Sequence, residues 1–284
     1  MAVRKAVIAV AGYGSRFFPV AKTINKCMLP VLDRPVLHWA VQDCLRAGVE
    51  QIAIITAPGD TQVRHYFTED AELRDHFQAR GWDAKYERIA GLHKLARFTF
   101  LEQPRDGRYG TAIPPLVAEA FVAGDDFLCM SGDDLLLRED GGSDMADLVA
   151  ARERAGAAAA VAAAVVPGTA ASRYGVLRAR SGGDMILDRL VEKPTDWTAP
   201  EAHAYLSRAV LPGDIMTYLG KLTPAANGEL QITDAINDLA AASPVLIHPT
   251  TGTYLDCGDP GGMLAANLAA ARAANLQVPG IGWR

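Results

Sequence analysis

Short apolar runs alternate with amphipathic stretches along the first half of the chain. The segments "AVIAV" (residues 6–10) and "QIAIIT" (51–56) are apolar and of strand length. Between them, residues 35–48 carry apolar side chains at helical spacing and end at Gly48, a residue type that commonly caps helices. A strand, a helix and a second strand in this order predict a βαβ unit of a parallel sheet.

The alternation continues to about residue 154. Residues 60–78 form a polar stretch that predicts a helix, and "RFTFLEQ" predicts the next strand. "GTAIPPLVAEAFV" predicts a helix with prolines near its first turn, and "DFLCMSGDD" predicts a strand that runs into paired carboxylates. This order of elements predicts a doubly wound α/β core.

After residue 154 the pattern changes. "RYGVLRARSGGDMILDRLVEKP" predicts a hairpin, "GELQITDAINDLAAA" a helix, "PVLIHP" and "TYLDCG" two strands, and "GGMLAANLAAARAA" a closing helix. Alanine propensity favours a helix for "AGAAAAVAAAVV". We predict a strand there, because Gly156 ends the preceding helix and residues 165–167 resemble the exit of a strand.

Composition narrows the class of protein. Of 284 residues, 50% are hydrophobic and 21% charged, and the net charge of -5 argues against nucleic acid as the main partner. No signal-peptide pattern or membrane-spanning apolar run is visible, and four scattered cysteines are typical of reduced thiols. We expect a cytoplasmic protein without membrane or nucleic-acid partners. We also expect a single domain over residues 1–284, with halves at about 1–154 and 155–284.

The loop after the first strand, "VAGYGSRFFPVAKTINKCMLP", has the composition of an anion site. Gly12 and Gly14 allow close backbone approach, and Arg16, Lys22 and Lys26 add cations with no acidic residue nearby in sequence. The dinucleotide fingerprint fails because phenylalanine stands at its third glycine, and the G-K-S/T of nucleotide hydrolases is absent. The loop therefore predicts a polyphosphate site of another kind, with a solvated loop of incidental charges as the alternative.

Acidic side chains at strand ends are the candidate metal ligands. Asp133 follows "FLCM" and Asp256 follows "TYL". Carboxylates placed in this way suit a magnesium ion that bridges phosphates. The alternative is that Asp133 and Asp134 cap a turn, and we expect Asp134 to be structural or to support its neighbour.

Several separated motifs together resemble the nucleotide-sugar pyrophosphorylases. The loop matches G-x-G-S/T-R-x-x-P followed by K-x-M-L-P, and "RYGV", "VEKP", "GELQITDAI" and "LDCG" follow in order over residues 3–272. The order and spacing are most similar to the bacterial enzymes that join UTP to glucose-1-phosphate. The chain departs from the usual P-K-E-M-L-P at Asn25 and Cys27, on either side of Lys26, and residues 68–97 do not match.

The resemblance implies both a fold and a reaction. The fold is a Rossmann-like, doubly wound, mixed and mostly parallel sheet flanked by helices. The first half binds the nucleotide, and a β-rich second half binds the sugar phosphate. The reaction is the Mg²⁺-dependent formation of UDP-glucose and pyrophosphate, in which glucose-1-phosphate attacks the α-phosphorus of UTP directly. In such a transfer, positioning and charge neutralisation carry the catalysis.

The resemblance also implies roles for individual residues. Arg16 would hold the leaving β- and γ-phosphates, and Lys26 would face the α-phosphate. The remaining residues divide into three groups: Ala11, Gly12, Gly14, Gln103 and Gly110 for the nucleotide; Gly175, Glu192 and Lys193 for the sugar phosphate; and Asp133 and Asp256 for the metal. Lys22 receives no role. We expect Cys27 to be a packing residue, since the reaction needs no nucleophilic thiol.

Several alternatives stay open from the sequence. Gln103 cannot separate UTP from dTTP, because uracil and thymine present the same edge to an amide. Gly175 also fits a simple bulge glycine, and adjacent glutamate and lysine are commonly just solvated. The alternative functions are transfer to another hexose-1-phosphate, a sugar-nucleotide sensor without turnover, and a nicotinamide-dependent enzyme. The resemblance further implies a homodimer or homotetramer, although the apolar face of the closing helix fits an internal core equally well.

Overall fold

The computed structural model describes residues 2–276, so both ends of the predicted range 1–284 lie outside the described residues. The strands of the described part are β1 (Lys5–Ala9), β2 (Pro30–Val31), β3 (Arg34–Pro35), β4 (Gln51–Thr56), β5 (Arg97–Glu102), β6 (Phe127–Ser131), β7 (Asp134–Leu137), β8 (Ala159–Pro167), β9 (Gly175–Ala179), β10 (Leu187–Glu192), β11 (Glu201–Leu211), β12 (Val245–Pro249) and β13 (Thr253–Asp256).

The helices are α1 (Val36–Arg46), α2 (Gln62–Tyr66), α3 (Ala71–Gln78), α4 (Asp83–Ala90), α5 (Ile113–Val117), α6 (Glu119–Val122), α7 (Asp144–Ala155), α8 (Ile215–Leu219), α9 (Ile232–Ala242) and α10 (Pro260–Ala273). Local sequence accounts for several of their ends. Ser143 caps α7 by accepting a hydrogen bond from the amide of Ala146, and Gly156 ends that helix in the left-handed conformation. Asp259 caps α10 in the same way, with Pro260 in the first turn.

A nine-stranded mixed sheet forms the centre of the protein, in the order β10-β9-β11-β6-β1-β4-β5, with β8 paired to β11 and β12 paired to β8. Strands β6, β1, β4 and β5 are parallel, as the alternation in the first half predicts. Successive residues of β1 pack into two different hydrophobic cores. Val7 belongs to one core, and Ala6 and Ile8 belong to the other. Both faces are therefore covered, which explains why this strand is an unbroken apolar run.

The alanine-rich segment forms the strand β8, as predicted. It lies between β11 and β12, and Ala159 to Ala163 are all buried. Sheet pairing on both sides outweighs the helix propensity of alanine, which is a weak preference.

The strand β11 has eleven residues and was not identified from the sequence. It pairs antiparallel with β6, β8 and β9, so it joins the two halves of the chain in one sheet. Its register shifts between Tyr205 and Ala209, and Ser207 has a positive φ of 53°. This irregularity interrupts the strict alternation by which strands are recognised.

Some predicted helices are wrong in detail. The stretch 60–78 forms two helices, α2 and α3, because Asp70 caps a new helix by accepting from the amide of Leu73. The segment predicted as one helix after Gly110 is also divided, into α5 and α6. Within α10, Ala266 and Ala270 pack into a core with β2 and β7, while Leu264 is 61% exposed. Internal packing thus accounts for one face of the closing helix.

Candidate active site

The loop after β1 folds into three short 3₁₀ turns, at Ser15–Phe17, Val20–Lys22 and Lys26–Met28. Gly14 starts the first turn at φ 62°, a left-handed angle that favours glycine. A Cβ on Gly14 would lie 3.2 Å from Cβ of Lys26, and one on Gly12 would lie 3.7 Å from the Lys26 ammonium. The two glycines therefore leave the space through which the Lys26 side chain passes.

Lys26 forms an ion pair with Asp133, and both side chains are mostly buried. Burial favours the neutral amine, but the Asp133 carboxylate outweighs it and raises the pKa of Lys26. Burial likewise opposes ionisation of Asp133, and the Lys26 ammonium reverses this and lowers the pKa of that carboxyl. The Ser131 hydroxyl donates a further hydrogen bond to Asp133. Both members of the pair are therefore charged at neutral pH.

The two candidate metal ligands meet across the β7–β13 pair. Asp134 and Asp256 are opposite each other in the register, and the amide of Cys257 donates to the carbonyl oxygen of Asp133 at 3.1 Å. The Asp256 carboxylate accepts a hydrogen bond from the amide of Gly258 at 2.8 Å. Asp133 and Asp256, separated by more than a hundred positions in sequence, are thereby neighbours at one edge of the fold.

Arg16 lies over the loop that follows Asp256. Its Nη1 is 3.6 Å from the Asp259 carboxylate, and a Cβ on Gly258 would approach its Nη2 to 2.6 Å. The side chain is 57% exposed, so its guanidinium faces solvent as well as the loop. Arg16, Lys26, Asp133 and Asp256 thus form one cluster of cations and carboxylates.

The carboxylates of this cluster fit a magnesium ion shared with a substrate. Among residues 2–276, no group of three or more His, Cys, Asp or Glu side chains is arranged to hold a metal alone. Mg²⁺ is usually held by one or two carboxylates together with substrate phosphates and water. Asp133 and Asp256 can supply the protein's part of such a set.

A buried network lies directly behind Asp133. Arg208 is fully buried and its Nη2 donates to the Asp134 carboxylate at 2.6 Å and to the Asp134 carbonyl oxygen at 3.0 Å. Its Nη1 donates to the carboxylate of Asp43, on α1, at 2.8 Å. Burial raises the pKa of Asp134 to about 7 even though Arg208 opposes the shift. One cation thus holds two buried carboxylates and connects the β7 strand to α1.

A cavity of about 380 Å³ opens beside the glycine loop, which is the loop after β1 that contains Gly12 and Gly14. Its lining is contributed by three loops at the ends of parallel strands: Ala11 and Tyr13 after β1, Ala57 and Pro58 after β4, and Gln103 to Arg105 with Gly107 to Tyr109 after β5. Clefts at the carboxyl ends of parallel strands are where open α/β sheets bind ligands. The structure therefore brings Gln103 and Ala11 to the same cavity.

Gly110 has a structural requirement of its own. Its φ is 122°, and a Cβ there would lie 2.7 Å from the backbone nitrogen of Leu230 and still closer to its carbonyl oxygen. Around it, the Leu230 amide donates to the carbonyl oxygen of Tyr109 at 2.9 Å, and the Ala112 amide donates to that of Leu230 at 3.0 Å. Glycine is thus needed for the "GELQ" segment to pair with this loop.

Gly110→Ala is expected to lower the free energy of unfolding by about 3 kcal/mol, because the new Cβ meets backbone atoms that cannot rotate away. Gly107→Ala is the matched control. It lies in the same loop at φ 90° with nothing within 4 Å of its Cβ, so it should cost only about 1 kcal/mol. Urea unfolding of the two variants measures the difference. Equal stabilities with a raised KM for the nucleotide would instead assign Gly110 to base binding.

The candidate sugar-phosphate residues meet at the β9–β10 hairpin. Gly175 is opposite Glu192 in the register, and a Cβ on Gly175 would lie 3.3 Å from the Glu192 carboxylate. Burial raises the pKa of Glu192, although Thr233 and Lys193 oppose the shift. Lys193 has a positive φ of 41°, and its amide donates to the carbonyl oxygen of Tyr174 at 3.1 Å.

Sequence reasoning missed three residues of the contacts described above, Asp43, Arg208 and Thr233. It also missed the role of Asn25, whose side chain donates to the carbonyl oxygen of Val10 at 3.0 Å. An arginine within the apolar segment "YLSRAVL" was a usable signal, because an arginine inside a strand must find buried partners. Thr233 lies in "GELQITDAI", a motif noted without a residue being assigned to the site. In the sequence, Asn25 stands out only as a departure from the P-K-E-M-L-P motif.

None of the helices within residues 2–276 is both long enough and apolar enough to traverse a lipid bilayer. The sequence model of the nucleotidyl transferase family matches residues 5–273. Among curated proteins, the chain is 31% identical over 268 residues to UTP–glucose-1-phosphate uridylyltransferase 2 of Staphylococcus saprophyticus. That alignment covers 94% of this chain and 91% of the relative.

Solved structures give the same relationship. A UDP-glucose pyrophosphorylase complexed with UDP-glucose superimposes with a TM-score of 0.82 at 28% identity, covering 95% of this chain and 99% of the other. The UTP-bound enzyme of Acinetobacter baumannii superimposes with a TM-score of 0.84 at 28% identity, covering 95% and 93%. These similarities agree with the mixed α/β fold expected from the sequence.

Proposed function

Because the chain belongs to the nucleotidyl transferase family, we propose that it makes UDP-glucose and pyrophosphate from UTP and glucose-1-phosphate. The observation that carries the proposal is the cluster of Arg16, Lys26, Asp133 and Asp256. Its two cations lie on the loop after β1, whose residues Ala11 and Tyr13 line the cavity that contains Gln103. Both the curated and the structural relatives carry names for this reaction or its ligands.

On the nucleotide side, the glycine loop would hold the triphosphate. Backbone amides near Ala11, Gly12 and Gly14 approach the anion, and Gln103 would pair with the uracil edge. Arg16 would neutralise the β- and γ-phosphates as pyrophosphate leaves. Lys26 would donate to the α-phosphate and stabilise the charge that develops during attack.

On the sugar side, Glu192 and Lys193 would bind different parts of the sugar phosphate. The Glu192 carboxylate accepts hydrogen bonds from sugar hydroxyls, and the Lys193 ammonium pairs with the phosphate. Gly175 leaves room beside Glu192 for the sugar ring, since a side chain there would contact the carboxylate. Fixing the phosphate oxygen in line with the α-phosphorus turns a bimolecular encounter into a positioned attack.

We propose Mg²⁺ as the metal, held by Asp133 and Asp256. When bound, it would neutralise phosphate charge and orient the triphosphate. The ion pair between Lys26 and Asp133 already joins a metal ligand to a phosphate ligand. The protein alone thus places the two charges side by side before any substrate arrives.

Pyrophosphate release in the presence of Mg²⁺ tests the proposal. UTP, dTTP, ATP, GTP and CTP are each supplied with glucose-1-phosphate, and we expect the fastest release with UTP. Preference for dTTP would assign the protein to the thymidylyltransferases. The preference for one of these two nucleotides should be only ~10–200-fold, because they differ by one methyl group. If all five are silent, other hexose-1-phosphates are tried. Binding without turnover would support a sensor, and binding of NAD a nicotinamide-dependent enzyme.

We further propose that the chain is a single catalytic domain located in the cytoplasm. The sheet that runs through both halves supports the first point. Four cysteines that are all buried, free thiols support the second. Assembly as a homodimer or homotetramer stays a prediction, for which exposed Leu264 offers an apolar contact.

A further inference from the structure

Asn25 stands beside Lys26, at a position where the resembled motif has proline. Resting on the proposed function, we propose that Asn25 is the positioning residue that aims Lys26 at the α-phosphate. The hydrogen bonds of the Asn25 side chain and backbone tie three separate segments together. These hydrogen bonds are made by the residue directly before Lys26, so they fix the backbone from which the Lys26 side chain projects.

The Asn25 side chain uses both its oxygen and its nitrogen. Its Oδ1 accepts from the amide of Cys27 at 2.9 Å, which caps the 3₁₀ turn that begins with Lys26. Its Nδ2 donates to the carbonyl oxygen of Val10 at 3.0 Å and to the Asp60 carboxylate at 2.6 Å. The turn is thereby fixed to the end of β1 and to the loop after β4.

Gln62 completes this network from α2. Its Oε1 accepts from the Asn25 amide at 3.2 Å, and its Nε2 donates to the carbonyl oxygen of Thr23 at 2.7 Å. The backbone amide of Gln62 donates to the Asp60 carboxylate at 2.9 Å. Gln62 therefore bonds to both Thr23 and Asn25, and Asp60 bonds to both Asn25 and Gln62.

Backbone geometry explains how asparagine can stand in place of proline. Asn25 has φ -58° and ψ 128°, within the range that a proline ring imposes on φ. Asparagine lacks the ring, so hydrogen bonds must select this conformation, and one of them uses the amide proton that proline lacks. Cys27, two residues further along the chain, is fully buried. Because Lys26 lies between Asn25 and Cys27, the positions of these two residues set the direction of the Lys26 side chain.

The test compares Asn25→Ala with a matched control, Asn267→Ala. Asn267 is also half-buried, and it makes a similar set of bonds: it accepts from the amide of Leu32 and donates to the carbonyl oxygens of Pro30 and Met263. We expect Asn25→Ala to lower kcat for pyrophosphate release about tenfold with KM changed less than about threefold, because small misplacements of a catalytic group are costly. Asn267→Ala should leave kcat within about twofold of the wild type at similar thermal stability.

A double-mutant cycle with Lys26→Met shows whether Asn25 acts through Lys26. In that background, Asn25→Ala should change kcat by less than about twofold, since the group it positions is gone. A tenfold loss that persists there would overturn the proposal, as would an unchanged kcat in the single variant. A purely structural role predicts equal losses in both backgrounds.

Hydrogen exchange keeps the test separate from the proposed function. In Asn25→Ala the amide of Cys27 should exchange faster, and in Asn267→Ala it should not, whichever substrate the protein uses. A wild type silent with every nucleotide would defeat the proposed function alone. Unchanged exchange at Cys27 would defeat the positioning role.

Discussion

Lys26→Met is expected to lower kcat for pyrophosphate release by about 10²–10³, the usual effect of removing one preorganised donor from a site of developing charge. Lys26 is the only described lysine that is paired with a candidate metal ligand, Asp133. Its alkyl chain is retained in methionine, so the packing against Gly14 changes little. The measurement is steady-state pyrophosphate release with UTP and glucose-1-phosphate under saturating conditions.

Lys22→Met is the control, because Lys22 lies in the same loop and is exposed. Its kcat should stay within about twofold of the wild type, since a solvated cation contributes little to a preorganised site. If both variants lose activity equally, the loop acts through its overall charge. Loss of UTP affinity without loss of kcat for Lys26→Met would assign this lysine to ground-state binding.

Arg208→Met is expected to lower the free energy of unfolding by about 3–5 kcal/mol, which is a large part of the stability of an ordinary domain. The substitution leaves Asp43 and Asp134 buried without their cation. Methionine fills much of the arginine volume, so the loss reports charge rather than a cavity. Urea unfolding followed by fluorescence and by circular dichroism measures it and checks that the transitions coincide.

Arg152→Met is the matched comparison. Arg152 also pairs with an aspartate and with a backbone carbonyl, but it holds one carboxylate instead of two, and the Asp126 side chain is 16% exposed, against 5% for Asp134. We expect it to cost about 2 kcal/mol. Adding Asp43→Asn and Asp134→Asn to Arg208→Met should recover most of the loss. A variant that remains equally unstable would show that the packing of Arg208, and not its charge, is what matters.

Much of the fold could be predicted from local patterns. Continuous apolar runs identified β1, β4 and β6, and glycine with a following polar loop marked where the sheet turns toward the site. Even β8 was predicted against its own helix propensity, because Gly156 ended the helix before it. In these cases the local sequence and the tertiary environment point to the same structure.

Prediction from local sequence fails where the role of a residue depends on contacts with residues that are distant in sequence. The β11 strand was missed because an arginine and a strand irregularity interrupt its alternation, and the partners of that arginine, Asp43 and Asp134, are distant in sequence. Asn25 belongs to a network that spans residues 10 to 62. No window of neighbouring residues contains such information.

The candidate site shows the same division. The loop composition, the carboxylates at strand ends and the family resemblance identified Arg16, Lys26, Asp133 and Asp256, and the structure brings them together near the β7–β13 pair. The reason for a glycine at position 110 was not visible, because Leu230 lies 120 residues away in sequence. Roles for individual residues in the reaction stay predictions until the variants are measured.

The central position of β11 has a consequence for how the chain folds during synthesis. Strand β6, whose end leads to Asp133, pairs on one side with β1 and on the other with β11. On the ribosome, at roughly 5–20 residues per second, β11 is made about seventy residues after β6 and still later after the other parallel strands. For several seconds the growing chain carries an apolar strand with an open edge, the template on which unwanted pairing between chains begins. We therefore expect the first half of the chain to need protection from such pairing until β11 has been made.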